Sequence, residues 1–377
     1  MKTKVLIIGA GPSGSMAALR LAYSGFHDYI IVDRCEFPRG KPCAGGISPS
    51  SYRFLNKIGM DHILQNLMPR SEMKRVRFIG PKGQDIIMTT NLKAMAVNRC
   101  IFDAALLNEA IKAGARFVPG FTARELTRDA AGRITGAIDT VTGRRIQSEV
   151  TVMATGGRSS RFREKYFADT RPLRVIHSRI GWWRGFDHEE KTMEMVFDRR
   201  LLPHYGWVFP EGDGVVNIGI CLYGDRLRGG NVSEVFDEFL ETHYARRIAG
   251  AAQIGRRQSF VINTSKTVSH VYADRMLYVG EAGRLCNSAT AEGISYAMES
   301  GVLAADAIRE AYARSDGDLD ERSLRGYETM CRKAFNLRLR RAALIGGIID
   351  SPLFNLLIAL STRGWSQKII SRFFDDQ

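Results

Sequence analysis

Apolar residues along the chain fall into a few distinct patterns. Short unbroken runs at 4–8 (KVLII), 29–32 (YIIV) and 276–279 (MLYV) have the length and β-branching of strands buried on both faces of a parallel sheet. Helical spacing takes over at 13–24 (SGSMAALRLAYS) and again from Arg99 to about residue 113. Between about 171 and 265 the chain changes to short strands rich in aromatics, including Gly181-Trp182-Trp183-Arg184, residues 193–197 and the segments around Pro210 and Asn217, which predict an antiparallel sheet. From Ala342 onward apolar stretches alternate with Lys and Arg, and Pro352 divides them into two predicted helices.

The junction between the first strand and the first helix carries the chemistry. It reads Gly9-Ala10-Gly11-Pro12-Ser13-Gly14. Gly9 permits a tight turn, Gly11 lets the backbone approach a pyrophosphate, and Gly14 lets the helix pack close to the strand. The helix that follows directs its N-terminal N–H groups and dipole at that pyrophosphate. The second strand ends on Asp33, roughly twenty residues past the last glycine, where a carboxylate accepts hydrogen bonds from ribose hydroxyls. Strand, glycine turn, helix and acid in this order predict a dinucleotide site.

Composition narrows the class. A chain of 377 residues suits two domains, and 45% hydrophobic with 25% charged residues is a globular balance. The net charge of +14 is spread along the chain, with Arg338, Arg340 and Arg341 as a local cluster and no nucleic-acid motif. A solvated basic surface, a phosphate-bearing ligand and an anionic membrane surface all remain open; nucleic acid is not expected. Six separated cysteines without a CxxC pair, and no His at ligand spacing, predict no metal site and a reduced, cytoplasmic compartment. The N-terminal run leads straight into the glycine turn and reads as a buried strand and not a signal peptide, and no run reaches the ~18 apolar residues of a membrane span.

Further segments resemble known proteins. Asp33-Arg34 and the loop after it, the helix start Arg99-Cys100-Ile101-Phe102-Asp103, the strand-to-turn Ala154-Thr155-Gly156, and Gly280-Glu281-Ala282-Gly283 with Gly293-Ile294 resemble the flavin fingerprints of the glutathione-reductase-like, para-hydroxybenzoate-hydroxylase-like superfamily. Within it, Lys41-Pro42-Cys43-Ala44-Gly45-Gly46, Tyr205-Gly206-Trp207-Val208-Phe209-Pro210 and Asn217-Ile218-Gly219 resemble the geranylgeranyl reductase family. The resemblance implies an α/β chain: a Rossmann-like FAD-binding domain (1–70, 95–165 and 268–312), interleaved with an antiparallel-sheet substrate domain (71–94 and 166–267) and followed by a helical C-terminal segment (313–377). It implies FAD held by Gly9, Gly11, Pro12, Ser13, Gly14, Asp33, Arg34, Cys43, Ala44, Gly45, Arg99, Ala123, Gly280, Glu281, Gly293 and Ile294. Two departures stand out: Glu281 occupies the family's Asp position, and the usual Pro is replaced within 286–290. An acid at 281 is placed to meet ribityl hydroxyls, and a helix starting near Gly293 presents N–H groups where a reduced flavin gathers negative charge.

On the substrate side, Tyr205 and Trp207 lie two apart and share a strand face, either as packing residues or as the lining of an apolar pocket. Cys43 is either a small residue in a glycine loop or a thiol touching substrate or flavin. The expected reaction is hydride delivery from FAD to a carbon–carbon double bond of an apolar or isoprenoid lipid. Electrons would come from NAD(P)H or a reduced ferredoxin-like redox partner, with no second GxGxxG site to hold a nicotinamide. A flavin-dependent monooxygenase is the rival enzyme; a halogenase ranks below it, because Gly206-Trp207-Val208-Phe209-Pro210 lacks paired tryptophans. A membrane-associated electron-transfer flavoprotein is the rival of another class, and the C-terminal segment is either a helical cap or a peripheral membrane contact.

Overall fold

A computed structural model describes residues 1–91, 93–167, 174–314 and 319–361. The opening strand, Lys2–Ile8, lies inside an eight-stranded sheet whose parallel part runs Met276–Tyr278, Arg145–Met153, Lys2–Ile8, Tyr29–Val32, Arg116–Val118. Alternation along that strand separates two cores. Val5 and Ile7 point into the helices Pro12–Tyr23, Arg99–Lys112 and Ile294–Arg314, while Leu6 and Ile8 pack under the antiparallel pair Ala123–Arg128 and Ile134–Asp139. This double coverage is why positions 5–8 are apolar without interruption.

The second sheet has seven strands, in the order Ala252–Asn263, Val175–Arg184, Val215–Tyr223, Gly206–Gly212, Thr192–Val196, Arg75–Ile79, Asp85–Thr89. As the sequence predicts, it is an antiparallel sheet, at every pairing but one. Thr192–Val196 instead pairs parallel with Arg75–Ile79. These strands come from distant parts of the chain with no hairpin between them, so no turn imposes opposite directions. One face, with Val208, Val216, Ile218 and Trp183, packs on the helix Val232–Ile248, which a capping box of Asn231 and Glu234 starts. The opposite face carries Tyr205, Trp207, Phe209, Cys221 and Tyr223.

A long helix, Glu321–Ile349, buries Leu324, Tyr327, Cys331, Phe335 and Leu339 at three- and four-residue spacing, and the Tyr327 hydroxyl donates to Tyr278 O at 2.9 Å. At Pro352 the chain turns by 88° into Pro352–Ser361, and the Phe354 ring settles 5.0 Å from Phe197 on the aromatic face. The break expected at Pro352 is present; residues 362–377 of the C-terminal segment lie outside the described residues. No single described helix is long and apolar enough to cross a membrane, although the bent pair passes on length and composition together.

Candidate flavin and substrate site

The glycines of the first turn differ in what demands them. Gly9 sits at φ +108°, and a Cβ there would fall 2.3 Å from Ala154 O; at Gly14 a Cβ would fall 1.8 Å from Gly9 O. The fold alone requires both. At Gly11 the nearest atom to an added Cβ is Arg39 Nη2, at an ordinary 3.5 Å, and φ is −73°. Nothing in the protein needs glycine there, so the open backbone fits a ligand that must come close. The helix beginning at Pro12 has Pro in its first turn and no side-chain cap, which leaves the N–H groups around Ser13 and Gly14 available to an anion.

Asp33 braces this turn. Its Oδ2 accepts from Ala10 N and its Oδ1 from Cys35 N, each at 2.9 Å. Each oxygen keeps a further lone-pair site for a ribose hydroxyl. Phe121 N donates to Asp33 O at 2.9 Å, so the loop leading to Ala123 closes on the same strand end, while Arg34 is exposed.

The other end of the site gathers around Cys43. Gly45 takes φ +71°, and a Cβ on it would lie 2.1 Å from Val97 O, so the Cys43-Ala44-Gly45 loop is pressed against the chain entering the Arg99 helix. Asn98 Oδ1 caps that helix through Cys100 N at 2.8 Å. Arg99 is buried and donates from Nε and Nη2 to Asp103 at 2.7 and 2.9 Å; Arg39 Nη1 stands 3.0 Å from the same carboxylate. The Arg99 guanidinium also touches the Cys43 thiol.

Gly280, at φ +58°, donates its N–H to Ser300 Oγ at 2.8 Å. Next to it, Glu281 was expected to face ribityl hydroxyls, and here its Oε1 accepts from Asn263 N at 3.2 Å and its carboxylate from Gly157 N. Burial pushes the Glu281 carboxyl up, and the Lys41 ammonium opposes that shift. Burial likewise lowers Lys41, whose Nζ lies 3.8 Å from the Phe260 ring centroid. This Lys41–Glu281 relation was not foreseen from the sequence. A Cβ at Gly293 would meet only Cys286, with Sγ at 3.4 Å, so the start of the Ile294–Arg314 helix is open like Gly11.

Tyr205 and Trp207 do share a face, with ring centroids 6.2 Å apart. The Tyr205 hydroxyl donates to Thr290 O at 2.7 Å, on the loop before Gly293. Trp207 Nε1 donates to Asn217 Oδ1 at 2.8 Å, and Asn217 Nδ2 donates to Cys43 O at 3.2 Å. One amide thus ties the aromatic face to the cofactor loop. Behind it, Glu211 is buried and accepts from Trp182 Nε1 at 3.0 Å and Asn98 Nδ2 at 3.4 Å; burial pushes its carboxyl up to about 7. Sequence reasoning passed over Glu211, although an acid directly after an apolar aromatic strand was a visible signal.

A glycine turn open only at Gly11, an acid at the second strand end, and a second open helix start at Gly293 across the Cys43 loop fit FAD, and the class they define is the FAD-dependent oxidoreductases. Residues 2–171 match an FAD binding domain and residues 182–255 the geranylgeranyl reductase catalytic domain. The chain is thus similar to FAD-dependent reductases that carry a geranylgeranyl reductase catalytic domain. It is 29% identical to digeranylgeranylglycerophospholipid reductase of Methanothrix thermoacetophila, over 90% of this chain and 86% of that one. It is 27% identical to menaquinone reductase of Mycolicibacterium smegmatis, over 92% and 87%. A geranylgeranyl bacteriochlorophyll reductase-like protein from Thermoplasma acidophilum shares the fold with TM-score 0.81 and 22% identity, covering 99% of this chain and 91% of that one. A flavin-dependent brominase shares it less closely, with TM-score 0.74 and 18% identity over the whole of both chains.

Proposed function

We propose that this protein reduces carbon–carbon double bonds of an apolar, isoprenoid-type substrate. The observation that carries this reading is the position of the matched catalytic segment: its Tyr205, Trp207 and Phe209 face is tied through Asn217 to the Cys43 loop at the flavin site. FAD, when bound and reduced, supplies the hydride. The chain's own residues do the rest. Tyr205, Trp207 and Phe209 offer an apolar wall for an extended chain, and Phe354 and Ile358 cover part of it and keep water out. Arg99 fixes the Cys43 edge of the site through its two hydrogen bonds to Asp103. The flavin contacts at both open glycines and the division into a flavin domain, a substrate domain and a C-terminal helical segment are part of this proposal.

Electrons reach the site from NAD(P)H in transient contact or from a reduced ferredoxin-like protein. Contact with a membrane surface is supported by Leu344, Leu353, Leu356 and Leu357, which are exposed on either side of the Pro352 bend near the exposed Arg340 and Arg341. The test is anaerobic: reduce the FAD-loaded protein, add a polyprenyl lipid, and follow flavin absorbance and product mass. Reoxidation with a product heavier by two hydrogens supports the reading. Reoxidation that needs oxygen and yields an oxygenated product replaces it with monooxygenation.

A further inference from the structure

Reducing a carbon–carbon double bond places a hydride on one carbon and a proton on the other, and the proton needs a source at the aromatic face. Several polar groups there are unsuited to the task. The Tyr205 hydroxyl donates its proton to Thr290 O. Burial pushes the Cys221 thiol up to about 12, where it holds its proton too tightly, and lowers His204 to about 4, so that the imidazole is already neutral at pH 7. Glu211 differs from all of these. Its side chain continues the alternation Tyr205, Trp207, Phe209 along the strand Gly206–Gly212 and stands on the same face. It meets Trp182, which packs against the aromatic cluster, and Asn98, the neighbour of Arg99 at the cofactor loop. The carboxyl therefore lies where the apolar wall joins the flavin site.

Each partner of Glu211 offers it an N–H: Trp182 Nε1, Asn98 Nδ2 and the Asn217 amide. Neither amide can turn to offer its oxygen, because Asn98 Oδ1 accepts from Cys100 N and Asn217 Oδ1 from Trp207 Nε1, each at 2.8 Å. A protonated Glu211 finds no acceptor among these groups, and its O–H is left to a ligand on the aromatic face. The charged groups of the surrounding elements are engaged elsewhere. Arg99 binds Asp103 and touches the Cys43 thiol, Arg39 binds Asp103, Arg70 donates to Leu64 O and stands 3.6 Å from Glu72, Arg184 donates to Asp213 O, and on the far face Glu194 binds Arg247. With no cation paired to it among the described residues, burial holds the carboxyl up at about 7.

Resting on the reductase reading above, we propose that Glu211 is the acid that protonates the double bond. Its proton passes to one alkene carbon, and Glu211 is left as a carboxylate. The other carbon receives the hydride, whose two electrons are those the flavin loses, so the substrate gains two hydrogens and no further reagent is consumed. Positive charge developing on that second carbon faces the rings of Trp207 and Phe209, 6.1 Å apart, which favour a cation. Water restores the Glu211 proton after product leaves, since the exposed turn Asp213-Gly214 begins two residues away.

Anaerobic single-turnover reoxidation of the reduced, FAD-loaded protein by a polyprenyl lipid, followed across pH, tests this. The parent rate should be level below about pH 7 and fall about tenfold per pH unit above it. Glu211→Gln should react about a hundredfold more slowly and lose that decline, and Glu211→Asp should recover part of the rate. Trp182→Phe removes a hydrogen bond that favours the carboxylate, so the decline should begin at higher pH. Infrared spectroscopy gives a readout apart from turnover: the band of a neutral buried carboxyl, present one pH unit below the midpoint and lost one unit above it, should be missing in Glu211→Gln. A Glu211→Gln protein that keeps the parent rate, or is slower yet keeps the decline, would overturn the acid assignment while the reduction stands. A decline that persists in Glu211→Gln and vanishes in Cys43→Ala would give the role to the thiol. A parent that lipid does not reoxidise without oxygen would remove the reductase reading and the acid role with it, whatever the infrared band shows.

Discussion

Replacing Glu211 by glutamine should change how stability depends on pH. Glu211 is 4% exposed, and the hydrogen bonds it accepts from Trp182, Asn98 and Asn217 favour its anion less than burial disfavours it. Its carboxyl is raised from 4.5 to about 7. The folded protein therefore holds this proton more tightly than the unfolded chain does. Between about pH 4.5 and 7 the native state carries the extra proton, so stability falls as pH rises through that window and levels off above it. At 1.36 kcal/mol per pH unit the window corresponds to about 3 kcal/mol. The glutamine side chain of the variant is neutral at every pH and escapes this loss, although its amide N–H₂ meets the Asn98 donor and lowers stability by about 1 kcal/mol at all pH values. Urea denaturation of both proteins at pH 5 and pH 8 isolates the effect, because other titrating groups cancel in the difference. The stability of Glu211→Gln relative to the parent should rise by about 3 kcal/mol from pH 5 to pH 8. Parallel pH dependences for the two proteins would refute the burial argument.

The glycine turn separates folding from binding. Gly14→Ala should destabilise the cofactor-free protein by about 2–3 kcal/mol, since the new Cβ meets backbone at 1.8 Å. Gly11→Val should leave thermal stability without cofactor nearly unchanged yet abolish the absorbance of bound FAD; retained flavin at normal stoichiometry would remove the pyrophosphate from this turn. Asp103→Asn deprives Arg99 and Arg39 of their buried counter-charge and should cost about 3–5 kcal/mol in urea denaturation, with a loss below about 1 kcal/mol ruling out a coupled cluster. Tyr205→Phe should cost about 1 kcal/mol, the net worth of the hydrogen bond to Thr290 O, and an unchanged midpoint would place that carbonyl in contact with water.

What could be read from the chain was whatever depends on neighbours in sequence. The strand Lys2–Ile8, the turn at Gly9 and the helix Pro12–Tyr23 follow from local periodicity and glycine geometry, and they appear within two residues of the expected bounds. Pro352 announced its break for the same reason. Where the second C-terminal helix goes was not legible, because Phe354 reaches Phe197 through tertiary packing. The parallel pairing of Thr192–Val196 with Arg75–Ile79 was hidden likewise: a strand's propensity does not name its partner. The motif acid Glu281 could be located but its direction could not, since Asn263 and Gly157 arrive from remote segments. Glu211 shows the deepest limit, because its raised carboxyl comes from burial among Trp182, Asn98 and Asn217 on three separate elements.

Those three elements also explain why the aromatic face and the cofactor loop behave as one unit. Asn217 accepts from Trp207 and donates to Cys43 O, so its amide has a fixed orientation: a flip would set N–H against N–H at the indole and oxygen against oxygen at the carbonyl. Glu211 accepts a hydrogen bond from the same Asn217 and another from Asn98, whose Oδ1 caps the helix that begins with Arg99. A shift of the strand Gly206–Gly212 that moved Trp207 would therefore pull on the Cys43 loop and on the Arg99 helix together. Cys221 and Phe354 pack on the same aromatic face without taking part in this network. The wall that receives the apolar chain is free to change there, while the geometry between that wall and the flavin site is held by three polar side chains.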